Sequence, residues 1–421
     1  MKTHIFDALG DKQFAFLWVS EIFTQLAVNL LNFFLILIVF QLTNSNTAVS
    51  GVVISFTLPA IFFGIIAGVY VDHWNKSKVL LSVNILRAIL LLILAIGFQN
   101  LYALYALSLA ISLATQFFIP AETPIIPLLV RSKNLFSANA LFGMGIYGSI
   151  LLSYIIAGPL FVAFEKTTIF FILAFLLTIG AFCISLIKIP KSHKQKKQQP
   201  FSQFQIMSEI RQTLIAVSKT PDVYHSLILL ALSQTLILII AVLAPGYATE
   251  ILQIPVEEFP LVFVAPAAFG VVVGAGILVH FFHNVSKQRL INIGLFLSGI
   301  AMLILPYGKA LASKEFVQIV NLSISRVVDI STIHMIILLA FVLGLANAFV
   351  FVPSNTLIQE KTSDQLRGKV YGVLNTLVGI FSLIPIILVG SLSDLVGVGK
   401  VLTGIGITLV LFGISRLFFE F

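Results

Sequence analysis

Long apolar runs recur along almost the whole chain, and they limit what it can fold into. A helix needs about 20 consecutive apolar residues to cross ~30 Å of hydrocarbon. Because so little sequence is left for a soluble domain, the pattern predicts an all-α membrane protein with twelve transmembrane helices. The predicted spans lie near residues 14 to 41, 47 to 71, 79 to 98, 101 to 121, 138 to 163, 167 to 188, 224 to 247, 260 to 282, 290 to 308, 331 to 354, 370 to 391 and 400 to 419.

The composition excludes a water-soluble globule. Hydrophobic residues make up 59% of the chain, charged residues make up 10%, and the mean hydropathy is +1.07, whereas soluble domains carry about 25% charged residues. The net charge of +8 comes from basic residues that are spread over successive loops. This distribution favours contact with anionic membrane lipids and argues against nucleic acid as a partner.

Two segments recur at a distance, which predicts an internal duplication. The stretch GVYVDHWNKSK, Gly68 to Lys78, returns as GILVHFFHNVSK, Gly276 to Lys287. The segment FIPAET at 118–123 likewise aligns without a gap to FVPSNT at 351–356. Parallel repeats of this kind are typical of transporters. We therefore predict two pseudo-symmetric six-helix bundles.

The longest polar break separates the two bundles. It begins with KIPKSHKQKKQQP at Lys188, which is too charged to enter the bilayer. After Pro200, apolar residues recur at roughly helical spacing, which predicts an amphipathic helix on the inner membrane surface. The predicted domains are an N-terminal bundle at 1–188, a cytoplasmic linker at 189–223 and a C-terminal bundle at 224–421.

Basic residues predict the orientation. If the N-terminus is cytoplasmic, 20 of the 25 lysines and arginines fall in inner loops or at inner helix ends. Both termini are therefore expected to face the cytoplasm. The lone Cys183 excludes an intramolecular disulfide.

The first span carries a stripe of polar side chains. Glu21, Gln25, Asn29 and Asn32 stand at i, i+4, i+8 and i+11, which confines them to a sector about 80° wide. Polar groups are costly against lipid, so we expect this stripe to line a substrate cavity. The alternative is hydrogen bonding between helices without a ligand. The complete set of predicted cavity residues is Glu21, Gln25, Asn29, Asn32, Tyr105, Ser112, Gln116, Tyr371 and Asn375.

Glu21 is the one carboxylate that falls well inside a predicted span. Partial burial of a carboxyl group suits it to exchange a proton, so Glu21 is the leading candidate for proton coupling. The alternative is a structural ion pair between Glu21 and Arg87 of the third span.

The loop from Gly68 to Lys78 resembles the signature that the major facilitator superfamily carries between helices two and three, Gly-x-x-x-Asp-Arg-x-Gly-Arg-Arg/Lys-x. Asn75 stands where that family has Gly, and Asn tolerates the left-handed backbone that Gly would supply. His73 replaces an Arg of the signature, which removes part of the family's charge network. The matching positions are Gly68, Asp72, Lys76 and Lys78.

Further runs are similar to the macrolide-efflux and enterobactin-exporter branch of the superfamily, to which the bacterial lysophospholipid transporter is a close cousin. They are PAETPIIPLLVRSKNLFSANAL, LAPGYATEIL and VPSNTLIQEKTSDQLRGKVYG. The resemblance implies a monomer in the bacterial cytoplasmic (inner) membrane, with no cofactor and no metal.

In the resembled family, the loop between helices two and three is a cytoplasmic latch. The resemblance implies that Asp72 faces the positive N-terminus of helix eleven and that Lys76 and Lys78 pair with Glu122. The alternative is that these are ordinary loop charges, since an exposed pair contributes about 0 to 1 kcal/mol. The residues predicted for this gate are Gly68, Asp72, Lys76, Lys78, Glu122, Arg131 and Arg367.

Taken together, these features predict a secondary active transporter. The expected activity is export of an amphipathic or hydrophobic small molecule, drug-like or siderophore-like, through alternating access coupled to a proton or another ion. A membrane enzyme is disfavoured because the candidate catalytic residues are scattered over opposite ends of unrelated spans. A lysophospholipid flippase and a non-transporting membrane sensor with the same fold remain open.

Overall fold

The computed structural model of the protein describes residues 5–122, 125–131, 134–188, 211, 215, 217–282, 285–307, 332–362 and 364–418. Throughout these residues, every regular element is helical. Twelve helices are long and apolar enough to cross a membrane, which confirms the predicted all-α membrane architecture. Helices suit this environment because hydrocarbon offers no water to satisfy the backbone, and a helix satisfies its own.

The helices extend to or beyond the predicted spans at most ends. They are α1 (Lys12–Thr43), α2 (Asn46–His73), α3 (Lys76–Gly97), α4 (Leu101–Glu122), α5 (Leu135–Ala163), α6 (Lys166–Ser185), α7 (Pro221–Gly246), α8 (Ala265–Phe281), α9 (Lys287–Ile304), α10 (Thr332–Lys361), α11 (Asp364–Val396) and α12 (Val398–Phe418). Helix α7 continues as a π-helical turn over Tyr247–Leu252, and α8 is preceded by another over Pro260–Val264.

The described chain separates into two compact units. The first unit comprises Met1–Leu42 and Ile54–Ile215, and the second comprises Thr43–Val53 and Ala216–Phe421. The first turns of α2 therefore pack with the second unit, although they precede it by more than a hundred residues in sequence. The predicted linker falls mostly outside the described residues, so its amphipathic helix and the domain limits stay predictions.

Equivalent helices pack together in the two units. In the first unit, α3 lies against α4 and α6, and in the second unit, α9 lies against α10 and α12. Adding six to each helix number converts one set of contacts into the other. This correspondence agrees with the duplication predicted from the two sequence repeats.

Small residues bring the helices of the second unit into close contact. A Cβ atom added to Gly344 of α10 would lie 1.8 Å from the backbone oxygen of Ala267, just after the start of α8. A Cβ atom added to Gly270 of α8 would lie 2.1 Å from the backbone oxygen of Phe341. Membrane helices associate through such close backbone approaches, because lipid provides no hydrophobic force between them.

Candidate functional site

The polar stripe of α1 forms a hydrogen-bonded ladder. Glu21 Oε1 accepts a hydrogen bond of 2.8 Å from Gln25 Nε2. Asn29 Nδ2 in turn donates to the backbone oxygen of Gln25 at 2.8 Å and to Gln25 Oε1 at 3.3 Å. Glu21 is completely buried, whereas Gln25, Asn29 and Asn32 are partly exposed. This amide ladder, Glu21–Gln25–Asn29, therefore connects a buried carboxyl group to a partly exposed polar face of α1.

Two further charged side chains are buried with Glu21 in the first unit. Arg87 of α3 is 1% exposed, and Glu122, the last residue of α4, is 5% exposed. Glu21 and Arg87 are the charged groups that act electrostatically on Glu122. Buried charges are costly unless they are balanced, so these three residues, termed the charged cluster, are candidates for function.

Neutral groups hold the guanidinium of Arg87. Its Nη1 donates to Asn84 Oδ1 at 3.2 Å, and Asn84 Nδ2 donates to Thr24 Oγ1 at 2.9 Å. The guanidinium carbon lies 4.7 Å from the centre of the Phe118 ring, which is within the range of a cation–π interaction. Arg87 is therefore anchored to α1 and α4 by neutral residues.

The structure does not bear out a direct ion pair between Glu21 and Arg87. Among the described residues, no carboxylate oxygen lies within 4.0 Å of a guanidinium nitrogen of Arg87. Glu21 instead uses one oxygen for Gln25 of its own helix, because a four-residue spacing brings the two side chains together on α1. Three buried polar atoms of the charged cluster have no hydrogen-bond partner, namely Glu21 Oε2, Glu122 Oε1 and Arg87 Nε.

A glycine of α6 closes the packing beside the charged cluster. A Cβ atom added to Gly180 would lie 2.9 Å from Thr24 Oγ1 and 3.2 Å from Asn84 Nδ2. These are the two neutral residues that position Arg87. Gly180 therefore allows α6 to approach α1 and α3 closely at the two residues that position Arg87.

Glu122 differs from its predicted role in the cytoplasmic gate. Its carboxyl is buried, and no ion pair joins it to Lys76 or Lys78 in the described part of the chain. The physical reason is that α4 stays helical to its last residue, so Glu122 shares the inward face that carries Phe118 and Ala121. The side chain of Glu122, at the end of an apolar run, therefore faces the interior of the bundle.

The predicted latch is not tested, because two of the side chains predicted for the gate lie outside the described residues. Gly68 and Asp72 lie in the last turns of α2, but the side chain of Asp72 is outside the described residues, as is that of Arg367 in α11. Arg131 is exposed after a short helical turn at Ile126–Leu129. Pairing of Asp72 with the N-terminus of α11 therefore remains a prediction.

Asn75 has a different role from the one expected at the signature's Gly position. Its φ of −69° is not left-handed, and its side chain caps α3 by accepting a hydrogen bond of 3.1 Å from the backbone nitrogen of Lys78. Asn is among the preferred residues at a helix N-cap. The departure from the signature therefore supplies a cap instead of a turn.

One of the cavity residues predicted on α4 instead packs against a neighbouring helix. Ser112 Oγ donates to the backbone oxygen of Phe56 in α2 at 2.6 Å, and buried Ser108 donates to the backbone of its own helix. Tyr105 and Gln116 are partly exposed. The alternative of interhelical hydrogen bonding therefore fits Ser112, whereas Tyr105 and Gln116 stay candidate cavity residues.

Of the cavity residues predicted on α11, Tyr371 contacts a residue that differs between the two repeats. Tyr371 Oη donates to Asn355 Oδ1 of α10 at 2.9 Å, and Asn355 occupies the position that corresponds to Glu122 in the first repeat. Asn375 is exposed, and Ser382 is buried. The two halves thus differ chemically at equivalent positions, with a carboxyl in the first and a neutral amide in the second.

Sequence reasoning missed Asp394, near the end of α11. Its carboxylate accepts hydrogen bonds from Ser45 Oγ at 2.5 Å, from the backbone nitrogens of Asn46 at 2.8 Å and Thr47 at 3.0 Å, and from Thr47 Oγ1 at 2.8 Å. All four residues belong to the second unit. The acid thereby satisfies the free amides at the start of α2 and complements its positive end.

Glycines make room for the start of α2 beside Asp394. A Cβ atom added to Gly390 of α11 would lie 1.9 Å from Ser50 Oγ, and one added to Gly246 of α7 would lie 2.7 Å from Asn46 Nδ2. Ser50 Oγ also donates to the backbone oxygen of Ile386 at 2.9 Å. The first turn of α2 therefore packs closely against Asp394, Gly390 and Gly246.

We expect Asp394→Ala to loosen the start of α2. Loss of an N-terminal cap costs about 1 kcal/mol of local helix stability, because backbone amides are left without acceptors. Hydrogen exchange in nanodiscs should therefore become faster in peptides that cover residues 43–53. Asp222→Ala is the matched control, since this exposed acid makes one ion pair among the described residues, with Lys361 at 3.8 Å. Unchanged exchange in the Asp394 variant would contradict the role of the cap.

No group of histidine, cysteine and acidic side chains in the described residues could hold a metal ion. The site instead consists of carboxyl, guanidinium and amide groups on membrane-spanning helices. Such groups can exchange protons and bind polar parts of a solute.

The whole chain was compared with known proteins. The family model described as Major Facilitator Superfamily matches residues 17–385. The chain belongs to the Major Facilitator Superfamily. The family and the fold that were predicted from the Gly68 to Lys78 loop and the twelve spans are therefore confirmed.

Individual relatives are distant but cover nearly the full length. An uncharacterized MFS-type transporter, YfiS of Bacillus subtilis (strain 168), is 24% identical over 388 residues, which are 91% of this chain and 87% of that protein. Macrolide efflux protein A of Streptococcus pyogenes is 21% identical over 393 residues, which are 92% of this chain and 90% of that protein. Both relatives agree with a transporter.

Solved structures agree on the fold. The nucleoside transporter NupG superposes with a TM-score of 0.74 at 13% identity, over 96% of this chain and 98% of that chain. A bacterial homolog of the human lysosomal transporter Spinster, in an inward-facing and unoccupied conformation, superposes with a TM-score of 0.71 at 12% identity, over 96% and 95% of the two chains. At such identities the likeness concerns the fold alone.

Proposed function

We propose that this protein is a secondary active transporter that exports an amphipathic or hydrophobic small molecule by proton antiport. The observation that carries the proposal is the amide ladder, because it joins a completely buried carboxyl group to a partly exposed polar face of α1. Membership of the superfamily and the macrolide efflux relative support it.

The chemistry of the candidate cavity suits a lipophilic cargo. Gln25, Asn29 and Asn32 offer neutral hydrogen-bonding groups on a helix that is otherwise rich in Phe, Leu and Ile. Sites for drug-sized ligands are mostly apolar with a few placed polar groups. A drug-like or siderophore-like molecule with both apolar surface and hydrogen-bonding groups would fit such walls.

Proton exchange at Glu21 would supply the driving force. A carboxyl that takes up a proton when it is open to one side of the membrane and releases it when it is open to the other can drive cargo in the opposite direction. The distribution of basic residues supports cytoplasmic termini in a bacterial cytoplasmic (inner) membrane. We expect a monomer to carry out the complete cycle, because one chain contains both bundles.

We expect Glu21→Gln to abolish pH-driven uptake into inverted membrane vesicles. Glutamine keeps the shape and can still pair with Gln25, but it has no proton to exchange. Counterflow of the same solute, which needs no pH gradient, should persist. The measurement is accumulation of a fluorescent macrolide in vesicles with an acidic interior, and Glu165→Gln, which alters an exposed acid at the start of α6, is the control.

Two outcomes would contradict this proposal. Full pH-driven uptake by the Glu21 variant would remove Glu21 from coupling. If the protein translocated labelled lysophospholipid but extruded no drug or siderophore, its cargo would be a lysophospholipid. The absence of counterflow for every solute would favour a sensor.

A further inference from the structure

Glu122 lies beside Glu21, so the buried site contains two carboxyl groups instead of one. The two side chains, termed the carboxyl pair, each lie about one helical turn from a residue that positions Arg87, namely Thr24 on α1 and Phe118 on α4. These parts of α1 and α4 pack in one core cluster, and the two carboxyls act electrostatically on each other. Glu21 Oε2 and Glu122 Oε1 are both buried, and neither has a hydrogen-bond partner among the described residues. Two carboxylates cannot hydrogen-bond to each other, because both only accept, so a bond between them requires a proton.

We propose that Glu21 and Glu122 share the one proton that the transporter exchanges, and that the positive charge of Arg87 limits the carboxyl pair to a single proton. The proposal rests on the function proposed above and adds to it Glu122 as a second proton-binding residue and Arg87 as a positioning charge. Neither role follows from the superfamily signature, which lies in a different loop.

Charge balance leads to a single proton. The carboxyl pair without a proton and Arg87 sum to one negative charge, whereas one shared proton brings the charged cluster to neutrality. An uncompensated charge in a dry site costs several kcal/mol, and two adjacent carboxylates resist ionising together. With two protons the cluster would carry one positive charge, which is costly for the same reason.

No other charged side chain takes part among the described residues around the pair. Helix α1 contributes Glu21, α3 contributes Arg87, and α4 contributes Glu122. The groups packed against Arg87 are neutral, namely Asn84 and Thr24, with the Phe118 ring over its guanidinium. Because these contacts hold the guanidinium without neutralising it, its positive charge is available to the carboxyl pair.

The amide ladder gives the cargo a route to influence this proton. Gln25 donates to Glu21 Oε1 and at the same time accepts from Asn29. A cargo that donates a hydrogen bond to Gln25 Oε1 would polarise this amide, strengthen its bond to Glu21 and stabilise the negative form of the pair. Binding of the cargo would therefore favour release of the proton, as antiport requires. The O–H bond of the pair forms with a proton from water on one side of the membrane and breaks to release that proton to water on the other.

Chemical labelling of the carboxyl pair tests the shared proton without any cargo. Dicyclohexylcarbodiimide reacts with protonated carboxyls in apolar surroundings, so the wild type in nanodiscs should be labelled at Glu21 or Glu122. Glu21→Gln and Glu122→Gln should both lose this label, because each leaves one carboxylate whose charge Arg87 balances. Peptide mass spectrometry assigns the label, with the Glu21→Gln/Glu122→Gln double variant as background and Glu165→Gln as the unaffected control.

The outcomes separate this inference from the proposed function. If the remaining carboxyl in either single variant were labelled at the wild-type level, the two groups would bind protons independently. If the wild type were not labelled, no proton would be shared. Each result overturns the inference even if transport is intact.

In transport, Glu122→Gln should abolish pH-driven uptake and keep counterflow, whereas retained pH-driven uptake would confine coupling to Glu21. Loss of counterflow in the wild type would instead contradict the proposed function.

Discussion

Replacing Gly344 with alanine should prevent the second unit from packing correctly. The added Cβ atom would lie 1.8 Å from the backbone oxygen of Ala267 and 2.6 Å from its carbonyl carbon. Both are main-chain atoms, so no flexible side chain can move aside, and α8 and α10 must separate. Overpacking typically costs 1 to 3 kcal/mol, and for a backbone clash we expect about 3 kcal/mol or more. Fluorescence-detected gel filtration after heating in detergent measures the loss of monodisperse protein.

The matched control is Gly276→Ala in α8. A Cβ atom at Gly276 would meet nothing within 4 Å, and alanine is favoured over glycine inside a helix by about 1 kcal/mol. We therefore expect this variant to be as stable as the wild type or slightly more stable. If both substitutions had the same effect, close packing of α8 and α10 would not be what holds this unit together.

The number of helices was predictable because the bilayer imposes a length on every spanning segment. Their limits were less predictable, since a helix can continue beyond the hydrocarbon. The eleventh span, predicted at 370 to 391, belongs to a helix that extends over Asp364–Val396. The extension matters for packing, because Asp394 lies in it and caps the start of α2.

The candidate site was predictable only within single helices. The ladder of Glu21, Gln25 and Asn29 follows from four-residue spacing, which places side chains on one face. The contact of Glu21 with Glu122 depends on how α1 packs against α4, about which hydropathy says nothing. Glu122 at the end of an apolar run therefore resembled an interfacial charge, and its burial became evident only from the packing of the first unit.

The same limit applies to Asp394. Its partners Ser45, Asn46 and Thr47 lie 347 to 349 residues away in sequence. The run Ser45-Asn46-Thr47 before an apolar segment is typical of a helix start, so the cap could be anticipated. The acid that completes it could not, since nothing local links the second span to the eleventh.

Removing the positive charge of the charged cluster should strongly destabilise the first unit. Arg87→Met keeps an unbranched apolar stem but leaves the carboxyl pair without a balancing charge. Breaking a buried charge arrangement by removing one partner costs about 3 to 5 kcal/mol. We expect a correspondingly large loss of thermal stability in nanodiscs, followed by intrinsic fluorescence, together with loss of the cation–π contact to Phe118.

A second-site variant distinguishes charge from packing. Combining Arg87→Met with Glu122→Gln removes one carboxyl, so that a single proton on Glu21 again brings the site to neutrality. This double variant should regain a large part of the lost stability, because interacting charges in one cluster are not additive. Arg87→Met with Glu165→Gln should regain none, since Glu165 is exposed and distant in sequence from the charged cluster. Equal stability of the two double variants would mean that Arg87 stabilises the bundle by filling space, and that its charge does not act on the carboxyl pair.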